Sequence, residues 1–325
     1  MSEAVGWRRV RDEALLALQR ATRADERTAA ARRLRDLAEE SEFHAEAEAV
    51  WTKLLGDQQE EVRRAGVEMA VRCLGTQAAG SLLRKLVGDP SALVRVQVAG
   101  SLADLEDPAY RPELGALLAD SESSIRFEAA RGLAALGDAS GIDVLTASLA
   151  EPEVRFRALG ALAALGDSRA VPAIRALFQR LWLPPYERTQ AAGVLMKLGD
   201  EEAGGYLIQR TRGGGVDRAF AIELCGEVKA RGARARLEEI LADPADSYRG
   251  AAARGLGRLG DSSAAPLLLS VVQNPQEADE LRLDAAEGYC RLVGAEQRGQ
   301  IAGLPQLLKS DSAKEEAREL LAWYG

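Results

Sequence analysis

The stretch Ile125-Arg126-Phe127-Glu128-Ala129-Ala130-Arg131-Gly132-Leu133-Ala134-Ala135-Leu136-Gly137-Asp138 returns as Val154-Arg155-Phe156-Arg157-Ala158-Leu159-Gly160-Ala161-Leu162-Ala163-Ala164-Leu165-Gly166-Asp167. Self-similarity at such a spacing is the signature of a repeat architecture. With the arginine as anchor the pattern runs through Arg27, Arg63, Arg95, Arg126, Arg155, Arg188, Arg218, Arg249 and Arg282, and Lys314 takes the same role. The steps are 36, 32, 31, 29, 33, 30, 31, 33 and 32 residues. Three residues after each anchor stands a small or β-branched apolar residue, such as Val98, Ala129, Ala158 or Ala252. Ten residues after it stands Leu105, Leu136, Leu165, Leu259 or an equivalent. Offsets of three, seven and ten mark one face of a helix.

Each anchored helix, here called B, follows a second amphipathic stretch, A, for example Ala170-Val171-Pro172-Ala173-Ile174-Arg175-Ala176-Leu177. Leu-Gly-Asp joins B to the next A at Leu136, Leu165, Leu198 and Leu259. The glycine suits a left-handed C-cap, and the aspartate can cap the following helix. Prolines respect the scheme. Pro90, Pro152, Pro184, Pro185, Pro244 and Pro275 fall between A and B; Pro108, Pro172 and Pro266 fall in the first turns of A. None interrupts a B helix between its anchor and the tenth residue on. The expectation is an all-α solenoid of about ten two-helix units with no strands. One pair cannot bury its apolar faces alone, so neighbours must stack. Ten layers would extend roughly 80–100 Å. Residues 1–325 then form one domain: a capping pair over 1–42, regular repeats over 43–295, and a capping pair over 296–325.

Composition agrees. The chain has 325 residues, of which 47% are hydrophobic and only 5% aromatic, as close packing of Ala- and Leu-rich helices requires. The formal net charge of −8 opposes a non-specific grip on nucleic acid, where phosphate neutralisation supplies most of the affinity. No apolar run approaches the length of a membrane span. The first residues lead into Trp7-Arg8-Arg9-Val10-Arg11-Asp12, not into a signal peptide's apolar stretch. Cys73, Cys225 and Cys290 form neither a CxxC pair nor a disulfide framework, which fits a reducing, cytoplasmic setting.

The pattern Val-Arg-x-x-Ala-x-x-x-Leu-x-x-Leu-Gly-Asp followed by Ala-Val-Pro-x-Ile resembles the short HEAT-like repeat of bacterial and archaeal proteins, also known from phycobilin lyases. The resemblance covers nearly the whole chain and implies a right-handed superhelix whose B helices line the concave face. Functionally it implies a binding scaffold or adaptor, with a lyase-like or small-ligand-binding subunit as the alternative. It also assigns the anchor arginines to the framework, paired with aspartates of the inter-repeat turns. Deoxyhypusine hydroxylase is similar in fold but binds iron through several His-Glu pairs. His44 is the only histidine and is followed by Ala45, so that chemistry is not expected. HEAT-like alkylpurine glycosylases need a basic cleft, which the net charge opposes.

Among individual residues, His44 reads as solvated or helix-capping, and the cysteines as small core hydrophobes. Arg212-Gly213-Gly214-Gly215 lacks the Gly-Lys-Ser/Thr ending of a phosphate loop and reads as a connector. No catalytic residue, metal ligand or cofactor site is expected. The positions that the framework leaves free are more informative. Outer repeats put charges there, while the third to seventh place Leu93, Val96, Phe127, Phe156, Tyr186, Val216 and Phe220. These residues suggest an apolar groove able to take a helix or extended segment of a partner protein. Alternatively, a slight rotation of B turns Phe127 and Phe156 into the inter-repeat core. The loop Leu181-Trp182-Leu183-Pro184-Pro185-Tyr186 reads as folded back over neighbouring helix ends. If exposed, Trp182 becomes an edge contact for a partner or a second copy of the chain. Arg254, Arg258 and Arg291 read as a solvated face diluted by Asp284 and Glu287.

Overall fold

A computed structural model of the chain describes residues 6–324. Among them there is no strand, and the helices alternate A, B, A, B along the chain. The first five pairs are α1 (Gly6–Arg20) with α2 (Ala24–Asp36), α3 (Ala47–Leu55) with α4 (Glu60–Cys73), α5 (Thr76–Leu86) with α6 (Ala92–Asp104), α7 (Arg111–Leu117) with α8 (Ser123–Ala135), and α9 (Ile142–Ser148) with α10 (Pro152–Leu165). The next four are α11 (Val171–Phe178) with α12 (Pro185–Lys197), α13 (Glu202–Arg210) with α14 (Arg218–Glu227), α15 (Ala233–Ala242) with α16 (Arg249–Leu259), and α17 (Ala265–Gln273) with α18 (Asp279–Leu292). In the tenth repeat the A element is broken into short pieces, α19 (Ala295–Arg298) and α20 (Leu304–Leu307), before α21 (Asp311–Tyr324). The protein is thus an all-α solenoid of helix pairs.

The chain divides into two compact units, one ending at Asp167 and one starting at Ser168. The border falls in a Leu-Gly-Asp turn, between the fifth and sixth repeats. In the first unit α2, α4, α6, α8 and α10 pack each on the next; in the second, α12, α14, α16, α18 and α21 do the same. The residue three after each anchor is the centre of this contact: Ala30, Val98, Ala129, Ala158, Ala191, Ala221, Ala252, Ala285 and Ala317 are all buried. So are Leu102, Leu133, Leu162, Leu195 and Leu256, seven after their anchors. The residues ten after, such as Leu105, Leu136 and Leu165, lie at the helix ends and are only half-buried. Small residues let helices approach closely. A Cβ on Gly257 of α16 would sit 2.5 Å from the Gly288 Cα of α18.

The Leu-Gly-Asp turns behave as capping chemistry requires. Gly137, Gly166, Gly199 and Gly260 adopt φ between 69° and 89°, the left-handed region where a Cβ is penalised. Asp138 and Asp261 then accept from the N–H two residues ahead, at 2.9 and 3.1 Å. Two repeats put a residue with a Cβ at the glycine position: Glu106 (φ 50°) and Lys229 (φ 53°).

The anchor arginines pair with carboxylates, but not with those of the inter-repeat turns. Five of them, Arg27, Arg63, Arg95, Arg218 and Arg249, lie in the first turn of their B helices and reach into the A–B turn of the following repeat, whereas Arg126, Arg188 and Arg282 donate to backbone carbonyls. Arg63 donates through Nε and Nη2 to Asp89 at 3.0 and 2.9 Å, and Arg95 likewise to Asp120 at 2.7 and 2.9 Å. Arg27 meets Asp57, Arg218 meets Asp246, and Arg249 donates to Glu277 at 2.7 Å. The remaining amino group binds carbonyls of the arginine's own turn, as Arg95 Nη1 does to Asp89 and Pro90. A cation in the first turn opposes the helix dipole, and these acceptors compensate it. The inter-repeat aspartates serve a second ladder, that of A-helix arginines: Arg175 with Asp200 at 2.6 Å and Arg234 with Asp261. Lys314 stays local, bonded to Asp311 at 2.8 Å.

Candidate functional site

The eight residues expected as partner contacts, seven in one groove and Trp182 on a loop, fall into separate groups. On the first unit, Leu93 and Val96 of α6 are half-buried in the floor of a cleft of about 440 Å³. Its walls are ionic. Arg131 of α8 binds Asp104 at 2.7 Å and Glu128 at 2.9 Å, and Arg157 of α10 reaches back to Glu128 at 2.7 Å. Phe127 is not part of this surface. It is 3% exposed, with the Arg157 guanidinium 5.1 Å from its ring centre, so it belongs to the contact between α8 and α10. Phe156, one repeat on at the same register, is 44% exposed. The rotated-helix alternative thus describes Phe127 and fails for Phe156.

On the second unit Tyr186 of α12 and Phe220 of α14 stack with ring centres 4.8 Å apart. Tyr186 is exposed and Phe220 half-buried. The arginine trio further along is neutralised internally. Arg254 binds Glu223 at 2.6 Å and also Asp284, Arg258 binds Glu223, and Arg291 binds Glu287 at 2.9 Å. Burial pushes the Asp284 carboxyl up despite the Arg254 charge beside it. Other B helices carry Lys197 with Glu227 at 2.5 Å in this unit, and Arg35 with Glu68 at 3.1 Å in the first. Charge pairs are the default on the open face of the B helices, and the apolar groups interrupt them.

Trp182 and Val216 are not on that face. Trp182 is 91% exposed on the A–B turn of the sixth repeat, and Val216 is 92% exposed on the A–B turn of the seventh. The expected fold-back of the 181–186 loop is therefore wrong for Leu181 and Trp182, and only Leu183 turns inward. Pro184 and Pro185 start α12 directly after the loop. Beside these turns opens a cleft of about 750 Å³ lined by Leu181, Pro185, Arg188, Tyr206, Arg210 and Arg212 among others. Spacing alone did not flag it, because it combines residues of the two A–B turns with the start of α12 and the end of α13, off the buried helical stripe.

The single histidine is structural: His44 Nε2 lies 2.9 Å from the Ala38 carbonyl oxygen. Burial raises all three thiols, that of Cys225 to about 12. Among the described residues no group of three or more His, Cys, Asp or Glu is placed to hold a metal ion. No described helix is long and apolar enough to cross a membrane.

Two family models match the chain: HEAT repeats over residues 81–153 and 214–290, and the PBS lyase HEAT-like repeat over residues 154–180. No curated protein sequence matches. Among solved structures, importin beta in an ammonium sulfate condition is similar with a TM-score of 0.51 and 12% identity. That match covers 96% of this chain and 52% of importin beta, so the chain spans about half of that protein. The CpcE–CpcF complex of phycocyanin lyase from Nostoc sp. matches at 18% identity, TM-score 0.34, over 97% of this chain and 94% of that one. Human deoxyhypusine hydroxylase in complex with glycerol matches at 20% identity, TM-score 0.32, over 79% and 99%. At these identities the importin likeness shows the fold alone, and the two lower scores carry no argument.

Proposed function

Because the chain belongs to the HEAT-repeat proteins, we propose that it is a non-enzymatic, cytoplasmic protein-interaction scaffold, with partner contacts on the open face of the B helices in repeats three to seven. The observation that carries this reading is apolar groups set among charge pairs on B helices of each unit: exposed Phe156 with Leu93 and Val96 in the ionic cleft on the first, and exposed Tyr186 stacked on half-buried Phe220 on the second. Apolar anchors within a polar, water-accessible rim are the anatomy of a docking surface. A helix or extended segment would place apolar side chains on these spots and leave the ion pairs as a rim that selects by charge. The residues also favour binding over chemistry. The imidazole is used on a backbone carbonyl, and burial keeps the cysteines as thiols at neutral pH.

The test compares proteins retained by the immobilised wild-type chain with those retained by Phe156→Asp and Leu93→Asp, each checked for helicity. A defined partner lost from both variants supports the reading. Retention of every partner by both variants refutes it. The match of residues 154–180 to the PBS lyase HEAT-like repeat favours a second reading, in which the same face holds a small ligand. Titration with a linear tetrapyrrole decides that one, since the scaffold reading expects no heat of binding.

A further inference from the structure

We propose that the cleft between the A–B turns of the sixth and seventh repeats docks an acidic segment of a partner protein, one of whose carboxylates completes the arginine ladder on Arg188. The inference rests on the scaffold reading but concerns a different surface from the B-helix face. In repeats two to four the ladder's carboxylate comes from the residue six positions before the next anchor, Asp57, Asp89 and Asp120; in the eighth and ninth repeats it is Asp246 and Glu277, three and five before the anchor, and Arg126 bonds carbonyls alone. In the seventh repeat the position six before the anchor is Arg212. The position that supplies an anion to Arg27, Arg63 and Arg95 thus carries a cation in the repeat that follows Arg188.

The bonding follows from this reversal. Arg188 donates through Nη2 alone, to the carbonyls of Arg180 and Leu181. Its Nε and Nη1 have no acceptor among the described residues, whereas in Arg63 and Arg95 the Nε–H goes to a carboxylate. The nearest acid of the seventh repeat's turn cannot serve. Asp217 is fully buried, accepts from Thr189 Oγ1 at 2.8 Å and from Arg210 Nε at 2.7 Å, and is held below the usual carboxylate range mainly by Arg210. Arg212 is exposed and has no side-chain partner among the described residues. Both guanidiniums line the same cleft of about 750 Å³, and no carboxylate lines it with them. In a chain of net charge −8 this is a local cationic site that only an external anion neutralises. A guanidinium with N–H donors left over suits a carboxylate as a charge-assisted acceptor.

A free anion would satisfy the guanidiniums but leave Leu181 (80% exposed) and Trp182 (91%) bare on the adjoining turn. A peptide with an acidic residue close to an apolar one covers both. Arg188 and Arg212 then give specificity for charge, and Trp182 supplies the rigid anchor typical of interface hot spots.

The experiment pans a displayed random-peptide library on the full chain and measures the enriched peptides by fluorescence anisotropy. The expected peptides combine Asp or Glu with a neighbouring apolar residue, and lose binding when their acids become amides. Arg212→Asp supplies the missing carboxylate within the chain. It should raise the melting temperature and weaken the peptides at least about tenfold, while Trp182→Ser weakens them about tenfold without changing the melting temperature. Phe156→Asp leaves them unchanged. Peptides without acids, no enrichment, or full binding to Arg212→Asp or Trp182→Ser each overturn the proposal. Peptides lost on Phe156→Asp but kept by Arg212→Asp place docking on the B-helix face, so this proposal fails and the scaffold reading stands.

Discussion

Replacing Asp120 by Ala removes one complete rung of the ladder while leaving every helix intact. The carboxylate accepts from Arg95 Nε and Nη2 at 2.7 and 2.9 Å and from the Glu122 N–H of its own turn at 3.0 Å. The two side chains are 16% and 9% exposed, so the variant strands a guanidinium largely out of water. Breaking a fully buried pair costs about 3–5 kcal/mol and a surface pair about 0–1 kcal/mol. The turns are reached by solvent on one side, so about 2 kcal/mol is appropriate for the pair, and the lost turn bond adds about 1 kcal/mol. The expected loss is about 3 kcal/mol at neutral pH. The Arg95 hydrogen bonds hold the Asp120 carboxyl below its ordinary value. A depressed carboxylate stabilises the fold fully above its unfolded pKa of about 3.9, and that stabilisation is lost as pH falls through the lower folded value. Urea unfolding followed by circular dichroism should therefore show the wild-type advantage unchanged between pH 7 and pH 5 and shrinking below about pH 4. The slope with urea must be followed too, since opening of a few repeats alone would lower it. A loss under about 1 kcal/mol at pH 7, or one equally large at pH 3, would refute the ladder as a source of stability.

Four further outcomes follow from the same geometry. Lys229→Gly relieves a left-handed residue and should stabilise by about 1 kcal/mol, read as a higher melting temperature; a lower one contradicts the capping argument. Gly257→Ala drives a methyl into the Gly288 backbone and should cost about 1–3 kcal/mol, whereas Gly160→Ala meets open space and should gain up to about 1 kcal/mol. Phe127→Ala should cost about 3–5 kcal/mol in chemical denaturation, and Phe156→Ser under about 1 kcal/mol, if one ring is core and the other surface. At pH 8 a maleimide should label Cys73 before Cys225, whose thiol burial pushes up to about 12; mass spectrometry showing the reverse order sinks the burial argument.

The repeat was readable because it is local. Anchor, third residue and seventh residue lie on one helical stripe, and the Leu-Gly-Asp turns obey capping rules that need only a few neighbouring residues. The candidate surface was less readable because exposure depends on what the next layer brings. Phe127 and Phe156 occupy the same register in near-identical stretches, yet Arg157 covers one ring while the other stays 44% exposed. Trp182 was misjudged for a related reason: whether a loop side chain is covered depends on the elements packed beside it, and Trp182 is left 91% exposed.

The sequence by itself determined the architecture: anchors at steps of 29–36 residues, buried small residues beside them, and prolines kept out of the B helices. Those properties follow from hydrogen bonding and periodicity within about one helix turn. Only the tertiary structure decided where each arginine spends its charge. Arg63 and Arg95 have the same local sequence role as Arg188, but their forks reach carboxylates of the following repeat, while Arg188 bonds carbonyls of its own turn beside an open cleft that Arg212 also lines. A long side chain chooses its partner across the gap between repeats, and that distance is set by how the layers pack.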